Sequence, residues 1–121
     1  MEDYRFLPVT GEMPAGTDFC LELDNDCMVP FYPRGSVLCV SRDAAPEEMA
    51  AGVFFYRGRI LCRQWCEDYA GTLHLLCANP LRENENLSLN SGERSACLCL
   101  GAVLPRRRLP MPIYGKRKNK G

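Results

Sequence analysis

Val53-Phe54-Phe55-Tyr56-Arg57-Gly58-Arg59-Ile60-Leu61-Cys62-Arg63-Gln64-Trp65 holds two apolar runs rich in aromatic and β-branched residues, separated by a two-residue Arg57-Gly58 step. Such runs favour extended backbone, and a glycine in a two-residue connection supplies the left-handed conformation that a tight hairpin needs. A hairpin of residues 53–56 and 59–65 is therefore expected. Working outward, strand-type runs recur at 19–23, 37–40, 72–77, 87–89 and 96–104, each short and set off by Gly, Pro or Asn. That spacing favours an antiparallel all-β domain over a parallel α/β sheet. One short helix is expected over residues 46–51, with Pro46 in its first turn, Glu47 and Glu48 near its amino end, and Gly52 as a stop.

The chain has 121 residues, 46% hydrophobic and 25% charged, which suits one globular domain with a sizeable core. Residues 1–18 contain Pro8, Gly11, Pro14 and Gly16 and are read as an extended lead, and residues 19–104 as the domain. Residues 105–121 are read as a basic, proline-rich tail that ends the packed region, so deletion from residue 109 onward is expected to leave thermal stability unchanged. The formal net charge of zero conceals a division. Arg106, Arg107, Arg108, Lys116, Arg117, Lys118 and Lys120 stand in the tail without an acid, leaving the body strongly acidic. An acidic body does not suit a nucleic-acid surface, whereas the basic tail could contact a phosphate backbone or an acidic partner.

Eight cysteines in a short chain suggest a disulfide framework only in a secreted protein, and the opening residues lack the charged and apolar pattern of a signal sequence. No apolar run approaches the roughly 18 residues needed to cross a bilayer. A soluble, cytoplasmic protein without membrane attachment is expected. Cys62 and Cys66 are separated by three residues and Cys97 and Cys99 by one, which is not zinc-knuckle spacing, and His74 is the single histidine. No metal and no cofactor are expected. Cys20, Cys39, Cys62, Cys77, Cys97 and Cys99 lie in apolar stretches, where cysteine acts as a small buried hydrophobe.

Asn25-Asp26-Cys27-Met28-Val29-Pro30 resembles the Gly-Asp-Ser-Met-x-Pro motif of the LexA-like and UmuD-like self-cleaving peptidases, which share their fold with bacterial signal peptidases. Asp26, Met28 and Pro30 match, Asn25 stands for the glycine, and Cys27 stands for the nucleophilic serine. Further features follow in the family's order. Arg34-Gly35-Ser36 precedes a short apolar strand, Ala51-Gly52-Val53 leads the next, Arg63-Gln64-Trp65 stands where the family carries its lysine, Leu76-Cys77-Ala78-Asn79-Pro80 looks like its Leu-x-x-Asn-Pro turn, and Gly101-Ala102-Val103 like its closing strand. The resemblance spans about residues 7 to 104. It implies a compact, curved β fold with Cys27 and Arg63 at the edge of one cleft, in the positions of the family's serine and lysine.

The family's lysine accepts the serine proton as a neutral amine. Arg63 cannot take that role, because a guanidinium stays charged, and the lysines of this chain are Lys116, Lys118 and Lys120 in the tail. A thiol beside a permanent cation can instead hold a thiolate, although a leaving amine then needs a proton donor that only His74 could supply. Ala15-Gly16 resembles the Ala-Gly bond that family members cut, but only ten residues separate Gly16 from Cys27, and a linker is expected there. The resemblance thus implies a catalytically degenerate domain acting through protein interaction, as a homodimer or with another protein, in a bacterial or prophage stress or regulatory setting such as the SOS response. Two alternatives stay open: a cysteine-type peptidase using Cys27, and a scaffold that contacts nucleic acid through its tail.

Overall fold

The computed structural model describes residues 4–43 and 46–114. Eight strands follow one another: β1 (Tyr4–Leu7), β2 (Phe19–Leu23), β3 (Val37–Ser41), β4 (Ala51–Tyr56), β5 (Arg59–Glu67), β6 (Leu73–Leu76), β7 (Leu87–Leu89) and β8 (Leu98–Leu104). They form one open antiparallel sheet in the order β1-β2-β3-β8-β4-β5-β6-β7, so the fold is all-β. The hairpin of β4 and β5 pairs Tyr56 with Arg59 across a two-residue loop in which Arg57 and Gly58 both have positive φ, at 53° and 78°. This mirror-image turn matches the natural twist of the strands it joins. At Gly101, φ is 152° and an added Cβ would lie 2.3 Å from the Ser41 carbonyl oxygen, so only glycine lets β8 approach β3 this closely.

The core is in two parts. Leu21, Leu23, Met28, Leu38, Val40, Val53, Cys62 and Val103 pack in one. Phe54, Tyr56, Leu61, Leu73, Leu75 and Leu89 pack in the other, with Trp65 stacked on Phe54 at 6.0 Å. Consecutive residues Val53 and Phe54 enter different clusters because successive side chains on a strand point to opposite faces. The four apolar residues that open β4 are accordingly all buried, as a central strand requires.

Three expectations need correction. The segment 46–51 is not helical: Met49 has φ 69°, its N–H donates to the Trp65 carbonyl at 2.7 Å, and its own carbonyl accepts from Leu109 N at 3.0 Å. Those backbone groups are committed to long-range partners and are lost to any i-to-i−4 helix ladder. The helical segments lie instead at Pro80–Glu85, a 3₁₀ turn capped by Asn79, and at α1 (Ser91–Arg94), where Asn90 and Glu93 form a capping box. Within the lead, Tyr4–Leu7 is a strand on the sheet edge, in register with Cys20 to Leu23.

The packed region also continues past Pro105. Leu109 is only 2% exposed, Arg108 bridges to Ala50, and the Gln64 amide donates to the carbonyls of Met49, Leu109 and Pro110 at 3.0, 3.2 and 3.1 Å. Tyr114 O–H donates to the Cys77 carbonyl. Among the described residues no helix is long and apolar enough to cross a membrane.

Candidate functional site

β2 ends at Leu23, and the chain turns through residues 25–32, with Phe31 N and Tyr32 N donating to the Met28 carbonyl at 3.0 and 2.9 Å. Cys27 opens this turn, its N–H received by the Asn25 side chain at 3.1 Å. Asn79 ties the turn to the far end of β6: its N–H donates to the Cys27 carbonyl at 2.9 Å and its side-chain amide to the Asp26 carbonyl at 2.8 Å. The same side chain accepts from Leu81 N at 3.0 Å, so one asparagine caps the 3₁₀ segment and fixes Cys27.

Cys27 and Arg63 share a cleft of about 180 Å³ with Asn25, Arg59, Arg82 and Glu85. Arg63, on β5, is 2% exposed. A buried guanidinium is tolerable only when its charge is answered. It donates to the Cys62 carbonyl at 2.9 Å and faces a Glu85 carboxylate oxygen at 3.8 Å. Arg82 pairs with Asp26 at 2.7 Å and reaches Glu85 at 3.9 Å, and its hydrogen bond holds the Asp26 carboxyl below the usual carboxylate range.

The thiols divide sharply in character. A hydrogen bond from Cys77 is the main influence that lowers the Cys27 pKa to about 7, helped by the positive charge of Arg63 and opposed by burial. The Cys77 thiol is pushed well above the ordinary range, first by that hydrogen bond to Cys27 and then by burial. Burial, joined by a smaller repulsion from Cys27, outweighs Arg63 at Cys62 and pushes its thiol up to about 12. Cys27 is thus the thiol of this cluster that ionises near neutral pH, with Cys77 as its proton-bearing neighbour.

His74 is elsewhere. It sits on β6 with its ring nitrogens 2.8 Å from Ser88 Oγ and 3.0 Å from Asp68 Oδ2, and it is not among the residues of the cleft. The pairing that could have made it a proton donor for a leaving amine is therefore directed to a surface cluster. Ala15-Gly16 lies in an exposed turn closed by Thr17 N to the Pro14 carbonyl at 3.2 Å, also apart from the cleft. Of the tail cations, Arg107 lies over the rings of Phe31 and Tyr32 at 5.9 and 5.5 Å, while Arg106 is exposed. Lys116, Arg117, Lys118 and Lys120 lie outside the described residues.

The cysteines expected to be buried do not behave uniformly: Cys20, Cys62 and Cys77 are buried, Cys39 and Cys97 are partly covered, and Cys99 is exposed. Cys77, Arg82 and Glu85 escaped the sequence reading as site residues. Cys77 looks like filler in an apolar run, and nothing in the spacing of Arg82 and Glu85 signals an approach to Cys27. Comparison with protein-family models, curated proteins and solved structures yields no match.

Proposed function

We propose that this chain is a LexA/UmuD-like peptidase-fold domain in which the catalytic pair has become Cys27 and Arg63, and that it acts by binding protein rather than by cutting it. The observation that carries the reading is the buried guanidinium of Arg63 in one cleft with Cys27, at the place in the order of motifs where the family has its lysine. Acyl transfer needs a group that takes a proton from the nucleophile and returns one to the leaving amine. Arginine does neither near neutral pH, and its partner Glu85 is ion-paired to Arg63 and Arg82. A thiolate at Cys27 removes the need for the first proton transfer but not for the second. Self-association through the β1 edge, in a bacterial or prophage regulatory or stress setting, is the mode of interaction that suits an open sheet with Phe6 exposed on its outermost strand.

The test restores the missing proton acceptor. Wild-type protein held at mildly alkaline pH is expected to stay intact by mass spectrometry, whereas the Cys27→Ser, Arg63→Lys double variant is expected to cleave itself or an added unfolded substrate. Cleavage by the wild type that disappears in Cys27→Ala would overturn the reading in favour of a cysteine peptidase, which the low pKa of Cys27 favours. A folded double variant that remains inert would detach the cleft from the peptidase family.

A further inference from the structure

Two cysteines that are fifty residues apart in sequence pack in one core cluster beside this cleft, and both are fastened there by their backbones. Cys27 is 3% exposed and packs in the same core cluster as Cys77, which is fully buried. Asn79 N–H holds the Cys27 carbonyl at 2.9 Å, Asn86 Oδ1 accepts the Cys77 N–H at 2.7 Å, and the Tyr114 hydroxyl donates to the Cys77 carbonyl. Cys27 alone of the two lines the cleft, beside Arg63 and Arg82. A sulfur that lines a cleft with cations around it and has a second sulfur packed behind it is the arrangement in which an oxidised thiol can be resolved within the same chain.

We propose that Cys27 and Cys77 are a reversible dithiol switch that reacts with small hydroperoxides, Cys27 being the attacking sulfur and Cys77 the resolving one. In the first step the Cys27 thiolate attacks the terminal peroxide oxygen. The O–O bond breaks, Cys27 becomes a sulfenic acid, and the departing hydroxide or alkoxide takes a proton from solvent to leave as water or alcohol. In the second, the Cys77 sulfur attacks the Cys27 sulfur, the S–O bond breaks, and the Cys77 proton leaves with the oxygen as water. The peroxide gains two electrons and the two thiols lose them to the new S–S bond. The lowered pKa of Cys27 supplies thiolate at neutral pH, and Arg63 and Arg82 place positive charge near the oxygen that departs. The switch does not depend on whether the cleft ever held a peptide.

The rival thiols are specific. Cys20 faces Cys39 across the β2–β3 ladder, and Cys62 packs in the same core cluster as Cys27 and Cys77. The fully reduced chain is treated with a small excess of hydrogen peroxide, alkylated under denaturing conditions, digested and mapped by mass spectrometry. The expected product is a peptide pair joined through Cys27 and Cys77, lighter by two hydrogens and reversed by dithiothreitol. In Cys77→Ser the expected product is a dimedone adduct on Cys27, and in Cys27→Ser an unmodified Cys77, with circular dichroism confirming that each variant is folded. A Cys20–Cys39 or Cys27–Cys62 linkage as the main wild-type product would overturn the assignment. So would over-oxidation of Cys27 to the sulfinic acid as fast in the wild type as in Cys77→Ser.

Discussion

At Cys27 two neighbours and burial act on one sulfur with different signs, and each neighbour can be removed singly. The S–H of Cys77 and the charge of Arg63 stabilise the thiolate, while burial disfavours it. The wild-type rate of alkylation by iodoacetamide should rise with pH through an inflection at about 7, since only the thiolate reacts. Cys77→Ala removes the largest stabilising influence and should move that inflection upward, so that the rate at pH 7 falls by roughly tenfold for each unit moved. Arg63→Ala should act in the same direction with a smaller displacement. Identical pH profiles in all three proteins would mean that neither group touches Cys27. That Cys27 and Arg63 line one cleft was expected from the resemblance around Asp26, Met28 and Pro30 and from the order of the motifs that follow. The contact with Cys77 was not, since Leu75-Leu76-Cys77-Ala78 has the composition of any buried strand end.

At the scale of elements, seven of the eight strands were legible as apolar runs between turn residues, and the Arg57-Gly58 hairpin from its turn chemistry alone. β1 was hidden because Pro8, Gly11, Pro14 and Gly16 follow it closely and its four residues gain their order from β2. The expected helix at 46–51 failed for a related reason. Pro46, Glu47 and Glu48 have sound helix-start chemistry, but the backbone of Met49 and Ala50 is bound by Trp65 and Leu109, partners at great sequence distance. Leu109 itself reads as one apolar residue in a run of arginines and prolines. Its burial reverses the expectation that the chain can be cut there without consequence. Leu109→Ala should destabilise by about 2–5 kcal/mol, as for other buried leucines, and lower the thermal midpoint by on the order of 10 °C. Deletion of residues 109–121 should cost at least as much, because the Gln64 amide also loses two carbonyl acceptors. A midpoint unchanged in calorimetry for both would show that this segment does not pack on β5.

For the whole molecule, an open sheet leaves two outer strands, β1 and β7, and β1 presents Phe6 at 59% exposure near Val9. Sedimentation velocity over a hundredfold concentration range should show a monomer–dimer equilibrium, and Phe6→Lys should shift it toward monomer by placing a charge on the joining edge. A wild type that remains monomeric throughout would assign the interaction to a different protein. After β8 the chain also returns to lie against β5 and the carbonyl of Cys77. Mechanically, that return makes the end of the chain a drawstring. A partner that gripped the terminus and pulled would first free the Tyr114 hydroxyl from Cys77, and then strip Gln64, the neighbour of Arg63, of its Pro110 and Leu109 carbonyls. Traction would reach Cys77 and the sequence neighbour of Arg63 before it disturbed any rung of β8.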